Sequence, residues 1–297
     1  MAGHDEIASL HYAKWLKLYE VEKPFVVISD LTSTDKSEYR HTNVEMIEGE
    51  PEIITDIRGK ESNFTLDSHG FEVCSHTWDT PDWSNKDEIE RRYFPEVESL
   101  LRKQIPGLTE IRIFDWRLRR NVPYREAGLH RIDLNDSTHY LLPATAAHID
   151  QTPGSTRGRV MRHMGDQADA LLRGRVRIVN IWRPIKHPVG DWPLALCDGS
   201  TVDRADLLAT DHVTRDYVGE TYNMLYRDMY RWYYLNTQTP DEVLLFKMFD
   251  SELRIKARHC PHASFQHRTV PDGTLPRESI EVRALVFSDV GTESEYK

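Results

Sequence analysis

The chain has 297 residues, a net charge of −10 and 39% hydrophobic residues. That is length and apolar material enough for one large domain with a sizeable core, which excludes a disordered chain. The acidic balance lacks the basic stripe that a phosphate backbone needs, and there is no run of about 18 apolar residues, so neither nucleic acid nor a membrane span is expected.

In chain order, a short helix is expected near EIASLHYAKWLKLY, followed by the apolar run PFVVISDL and by extended pieces in HTNVEMIEGEPEIITDIRG. Helical spacing of Ile89, Tyr93, Val97, Leu100 and Leu101 predicts a helix over NKDEIERRYFPEVESLLRKQIPG, kinked or divided by Pro95. LTEIRIFDWRLRRN alternates like a strand. HYLLPATAAHID reads as a further strand, and MRHMGDQADALLRG as a second helix stopped by Gly174. The chain then turns strand-rich: RVRIVNIWRPI, WPLALCDG, MYRWYYLN, EVLLFKMFD, ASFQH and SIEVRALVF, with helical signal in VDRADLLATD between. Many short strands separated by turn signals predict a sandwich or barrel. The expected organisation is one domain over residues 1–297, mainly β with flanking helices. A mixed N-terminal part, about residues 1–110, packs on a β core of about 111–290. The N-terminus lacks the layout of a secretory signal, and Cys74, Cys197 and Cys260 are far apart and odd in number. Reduced thiols in the cytoplasm follow.

The chemistry starts at TAAHIDQTP. Side chains at i and i+2 of a strand share a face, so His148 and Asp150 can grip one small object. A third ligand is available in RHCPHASFQH, which offers His259, Cys260, His262 and His267. Two histidines and a carboxylate on one face of a metal leave open positions, as in non-heme iron(II) oxygenases. Zinc also tolerates such a set, and Cys260 as a ligand would favour it. Further on, Arg277, Ser279, Glu281 and Arg283 alternate along PRESIEVRALVF and share one strand face. A buried arginine needs a carboxylate, and its planar fork suits one. Arg277 and Arg283 both qualify for a dicarboxylate cosubstrate, with Ser279 adding a hydrogen bond. Asn180 and Trp182 share a face of VNIWRPI, and Arg119, Arg120 and Tyr140 precede the histidine pair. These five are candidate pocket residues, against ordinary roles as core (Trp182) or solvated charge (Arg119, Arg120).

The order H-x-D, a distant His, then R-x-S resembles the iron(II)- and 2-oxoglutarate-dependent dioxygenase superfamily. LDSHGFEV, AHIDQTP, VNIWRPI, PLALCDG, RWYYLNTQTPDEVLLFKMFDS, PHASF and PRESIEVRALVF narrow the resemblance. They are similar to the family that includes gibberellin desaturases and the cephamycin methoxylation protein. The resemblance runs from about residue 56 to 287. It implies a double-stranded β-helix (jelly-roll, cupin-like) core and iron ligands His148, Asp150 and His262, the last chosen by the PH-x-x-F position. It also implies that Arg277 and Ser279 hold 2-oxoglutarate, with Arg283 following on the same strand. His267 departs from the acidic residue more usual after that Phe. The implied activity is oxidation of an unactivated C–H in secondary metabolism, by hydroxylation, desaturation or oxidative cyclisation. Iron(II), 2-oxoglutarate and O2 serve it, and 2-oxoglutarate leaves as succinate and CO2. The alternatives are a zinc hydrolase using the same three residues and a non-catalytic jelly-roll binding subunit. Arg119 and Arg120 are adjacent, so only one faces inward, and it would suit a small carboxylate-bearing substrate.

Overall fold

The structure is a computed structural model that describes residues 4–28, 40–123, 126, 133, 136–214, 217–289 and 296. Its N-terminal strands are β1 (Glu6–Ala8), β2 (His11–Ala13), β3 (Phe25–Val27), β4 (Met46–Glu48), β5 (Glu52–Asp56) and β6 (Phe71–Ser75). Then follow α1 (Lys86–Glu88), α2 (Phe94–Gln104), β7 (Leu108–Arg120), β8 (His148–Ile149), α3 (Pro153–Met164) and α4 (Ala168–Leu171). The rest is strand: β9 (Arg175–Pro184), β10 (Leu194–Cys197), β11 (Leu207–Val213), β12 (Val218–Met224), β13 (Trp232–Tyr234), β14 (Glu242–Asp250), β15 (His262–Ser264) and β16 (Glu278–Ser288). One sheet runs β1-β5-β13-β10-β15-β8-β12-β11-β3, a second runs β6-β14-β9-β16-β7, and β2 pairs with β4. N-terminal strands are thus built into both sheets rather than laid against a finished core. Among the described residues, no helix is long and apolar enough to cross a membrane.

Period-2 alternation along β16 separates two cores. Ile280, Val282, Ala284 and Val286 pack outward with Trp116 and Leu118 of β7 and with Val97, Leu100 and Leu101 of α2. Leu285 and Phe287 pack inward, with Val176, Ile178 and Trp182 of β9, Leu244 and Phe246 of β14, and Leu194 and Leu196 of β10. This second cluster fills the space between the sheets, as a jelly-roll sandwich requires. The same alternation turns the polar residues at the start of β16 toward that interior.

Four expected elements differ. EIASLHYAKWLKLY forms β1, β2 and a 3-10 turn, Lys17–Glu20, because Leu10 and Tyr12 are buried while His11 is exposed. That is strand alternation, stabilised by pairing Ile7 with Ile53 and Tyr12 with Ile47. VDRADLLATD is a single 3-10 turn, Arg204–Asp206, followed by β11, which pairs with β12 along its whole length. The second helix starts earlier than expected, at Pro153, where the Thr152 hydroxyl accepts a hydrogen bond from the Ser155 N–H at 3.1 Å. It breaks at Gly165, whose φ of 51° is left-handed. HYLLPATAAHID keeps strand geometry only at His148–Ile149, since Leu141 makes an isolated bridge to Arg119 and Pro143 has no N–H to extend it. The division at Pro95 is present: a π segment, Ile89–Tyr93, precedes α2 and lets Pro95 sit in its first turn. Residues 29–31 of the apolar run PFVVISDL lie outside the described residues.

A buried charge cluster closes one end of β14. Lys247 and Asp250 are fully buried and 2.8 Å apart, Arg175 donates to both Asp250 oxygens at 3.0 and 2.7 Å, and Asp67 meets Lys247 at 3.1 Å. Burial would raise the Asp250 carboxyl, but Lys247 and Arg175 outweigh it and hold it below its ordinary value. A carboxyl lowered by folding contributes stability above its unfolded pKa and loses it as the pH falls through the folded one. The wild type should therefore lose urea resistance below about pH 4. Asp250→Asn should cost about 3–5 kcal/mol at neutral pH and flatten that acid slope. An unchanged urea midpoint would contradict this.

Candidate metal centre

β8 lies between β15 and β12, and its register pairs His148 directly with His262. The two rings lie 4.4 Å apart between centroids. Asp150 follows one residue past the strand, with its carboxylate 3.5 Å from His148 Nε2. One ligand atom from each of His148, Asp150 and His262 lies within 4.8 Å of the others, and among the described residues this is the one such group. His148 Nδ1 donates to the Ala146 carbonyl at 2.8 Å, and His262 Nδ1 to the Cys260 carbonyl at 3.4 Å. A carbonyl only accepts, so both rings carry the proton on Nδ1 and leave Nε2 as a lone pair. Burial, then the nearby His148, pushes His262 down to about 3. Burial would raise Asp150, but Arg283 and the two histidines outweigh it and hold the carboxyl well below its usual range. Neutral imidazoles and an ionised carboxylate are the states in which these side chains ligate a divalent ion. The donor set fits iron(II).

Asp150 is held in place from behind. Asn180 Nδ2 donates to Oδ2 at 2.7 Å, and Arg283 approaches both oxygens, at 3.2 and 3.3 Å. Asn180 Oδ1 is buried without a hydrogen-bond partner. Arg283 also meets Glu281 at 2.7 Å and Asp115 at 2.8 Å. Its charge is already matched by three carboxylates, and its pKa rises despite burial. Arg277 is the reverse case. It is fully buried, its Nη1 donates to the Trp192 carbonyl at 2.9 Å and to Ser264 Oγ at 2.8 Å, and its Nε and Nη2 have no partner. The Asp191 carboxylate binds the Arg277 backbone N–H at 3.0 Å, not the guanidinium. Ser279 Oγ, on the same face, is also buried and unpartnered. Burial, then Arg119, pulls Arg277 down to about 9. Three buried donors without partners beside a cation with no carboxylate suit an anionic ligand, and a carboxylate fits the fork.

The remaining candidates divide by face. Trp182 lies inward in the core between the sheets, with Arg277 Cζ 5.6 Å from its ring centre. Arg119 pairs across the strands with Ser279 and faces the interior. Arg120 and Tyr140 do not: Arg120 stacks 4.2 Å above the Tyr140 ring, and Tyr140 packs on the outward core. Of the spare distal ligands, His259 and Cys260 are outside the three-residue group, and Cys260 points its thiol at the Cys197 carbonyl, 3.3 Å away. His267 binds Glu6 at 3.1 Å. Sequence reasoning missed Arg159 on α3. It donates through Nε to Gln151 at 2.9 Å and lies 4.7 and 5.3 Å over Phe114 and Tyr217. It sits toward the Asp115 end of the site, and only its place in an arginine-rich helix hinted at it.

A family profile described as "Oxidoreductase/YMDC permease-like domain" matches residues 10–287. Hydroxylase/desaturase poxK of Penicillium oxalicum is 31% identical over 280 residues, covering 82% of this chain and 81% of the relative. The Fe(II)/2-oxoglutarate-dependent dioxygenase nvfI of Aspergillus novofumigatus is 31% identical, covering 78% of this chain and 81% of the relative. The chain belongs to the iron(II)/2-oxoglutarate-dependent dioxygenases. A solved structure of the iron and alpha-ketoglutarate-dependent endoperoxidase NvfI superposes with a TM-score of 0.81 at 25% identity, covering 96% of this chain and 99% of that one. The dioxygenase therefore has the jelly-roll fold. It uses iron(II), 2-oxoglutarate and O2, and takes a small-molecule substrate of secondary metabolism. This displaces both the zinc hydrolase and the non-catalytic subunit.

Under argon, cobalt(II) titration should show one site in the wild type and in His259→Ala. It should show none in the Ala variants of His148, Asp150 or His262. Asn180→Ala should weaken the metal about tenfold to a hundredfold by releasing Asp150. Full cobalt binding by Asp150→Ala would contradict the ligand set.

Proposed function

We propose that His148, Asp150 and His262 hold the iron, and that Arg277 and Ser279 hold the far carboxylate of 2-oxoglutarate. The observation that carries this reading is the buried Arg277 fork with Nε and Nη2 unpartnered beside the unpartnered Ser279 hydroxyl. Arg283 is the positioning residue for Asp150 in this reading, since Asp150, Glu281 and Asp115 already occupy its guanidinium. Bound iron(II), with 2-oxoglutarate and O2, supplies the power to oxidise an unactivated C–H, and 2-oxoglutarate leaves as succinate and CO2. The chain's own part is to orient and to exclude water. Arg277 and Ser279 fix one end of the cosubstrate, Trp182 walls it, and Asn180 and Arg283 keep the Asp150 oxygens aimed.

The proposed reaction is hydroxylation, desaturation or oxidative cyclisation of a small, carboxylate-bearing natural product. Support for the carboxylate comes from Arg159, whose single hydrogen-bond partner among the described residues is the neutral Gln151. Phe114 and Tyr217 brace its guanidinium, and the charges acting on it include those of Arg283, Asp115 and Asp150. We also take the chain as one domain, because strands from its first 75 residues complete both sheets. Its three free thiols suit a reducing cytoplasm.

Two measurements check this. Losing a buried carboxylate's arginine costs about 2–5 kcal/mol, so Arg277→Gln should raise the 2-oxoglutarate requirement tenfold or more with metal binding intact. Arg283→Gln should instead weaken metal binding. A normal 2-oxoglutarate requirement in Arg277→Gln would contradict the site. In a screen of natural products with iron(II) and 2-oxoglutarate, carboxylate-bearing compounds should gain one oxygen atom or lose two hydrogens, with matching succinate release. Turnover of uncharged compounds alone would remove the role given to Arg159.

A further inference from the structure

Arg119 has no carboxylate of its own. It sits on β7 directly across from Ser279 on β16, so the two side chains share the inward face. Its Nη1 donates to the Leu142 carbonyl at 2.7 Å, and among the described residues that is its only hydrogen bond. The nearest acidic side chain on that face is Glu281, which is committed to Arg283 at 2.7 and 2.9 Å. No salt bridge joins Glu281 to Arg119 among the described residues. Arg277, one alternation before Ser279, is the next cation along the row, and its Nε and Nη2 are unpartnered. Two guanidinium groups therefore flank one buried hydroxyl, and each repels the other's charge. Proximity to Arg119 is, after burial, the largest influence lowering Arg277. Arg119 is half-buried and Arg277 fully buried, and setting a second cation without an ion-pair partner beside the buried one is unfavourable unless an anion joins them.

We propose that Arg119 is a second cosubstrate-binding residue: it and Arg277 grip the far carboxylate of 2-oxoglutarate from two sides, with Ser279 between. This rests on the reading that Arg277 and Ser279 form the cosubstrate site, and it moves Arg119 from the substrate side, where the sequence placed it, to the cosubstrate side. A carboxylate offers two oxygens with about four acceptor directions, enough for donors from both arginines and the serine. The arrangement selects a 2-oxo acid with a second carboxylate over one that ends in an alkyl group, because only the former brings a negative charge between the two cations.

The test is calorimetric titration of manganese(II)-loaded protein with 2-oxoglutarate and, separately, with 2-oxobutyrate, which has the oxo-acid end but no far carboxylate. The proteins are wild type, Arg119→Gln, Arg119→Lys and Arg277→Gln, each first shown to melt cooperatively and to bind manganese normally. The expected result is that Arg119→Gln weakens 2-oxoglutarate about tenfold, leaves 2-oxobutyrate unchanged, and is partly rescued in Arg119→Lys, which keeps the charge. If Arg277→Gln weakens 2-oxoglutarate but Arg119→Gln does not, the role of Arg119 is overturned and the cosubstrate site stands. Equal weakening of both acids in Arg119→Gln overturns it too, since the residue then supports the pocket rather than the carboxylate. If neither variant distinguishes the two acids, the cosubstrate site itself is wrong.

Discussion

An arginine sealed from water needs its charge compensated, and the site is organised around how that demand is met at two points along one interior row. Arg283 meets it inside the protein, with Asp150, Glu281 and Asp115 around its guanidinium. Arg277, six residues earlier on the same face, does not. The first arrangement is complete within the protein and holds the Asp150 carboxylate in place. The second leaves Nε and Nη2 without partners, which is why we propose that the cosubstrate carboxylate binds there. Neither residue's chemistry differs from the other's; only their neighbours do.

Those neighbours are delivered by strand register. Ten consecutive pairings between β16 and β9 put Asn180 opposite Arg283 and Trp182 opposite Glu281. Pairing with β7 puts Asp115 opposite Arg283 and Arg119 opposite Ser279. A slip of one residue would turn the whole polar row into the outward core and bring Ile280 and Val282 in to face the metal ligands. The apolar alternation on the outward face therefore protects the chemistry on the inward face. On the facing sheet, β8 contributes only two residues, yet its place between β15 and β12 sets His148 against His262.

Much of this was legible in the sequence, for reasons that can be named. His148 and Asp150 stand two apart, and extended backbone alone brings them to one face. The polar row of β16 was readable from the same period. The third ligand was not: four candidates lay within nine residues, and the choice of His262 came from the resemblance. The pairing of His262 with His148, which excludes His259 and Cys260 from the group, is a long-range contact that no local pattern encodes. The division of labour we propose between Arg277 and Arg283 is equally hidden, since depth in the strand favours Arg283 and its match to Asp115 and Asp150, from distant parts of the chain, is a long-range contact. The misread helix at EIASLHYAKWLKLY has a related cause. Its local pattern permitted a helix, but pairing with β4 and β5 outweighed that preference.

The central claim is that His148, Asp150 and His262 hold iron, while one interior row at β16 steadies Asp150 at one point and holds the far end of 2-oxoglutarate at another. Crystals of the protein grown without oxygen, with iron(II) and 2-oxoglutarate, test it most directly by anomalous diffraction at the iron absorption edge. The account predicts an iron peak among His148 Nε2, Asp150 and His262 Nε2, with the 2-oxoglutarate far carboxylate on Arg277 and Ser279. An iron peak against His259 or Cys260, or a cosubstrate carboxylate on Arg283 with Arg277 still unpartnered, would contradict it.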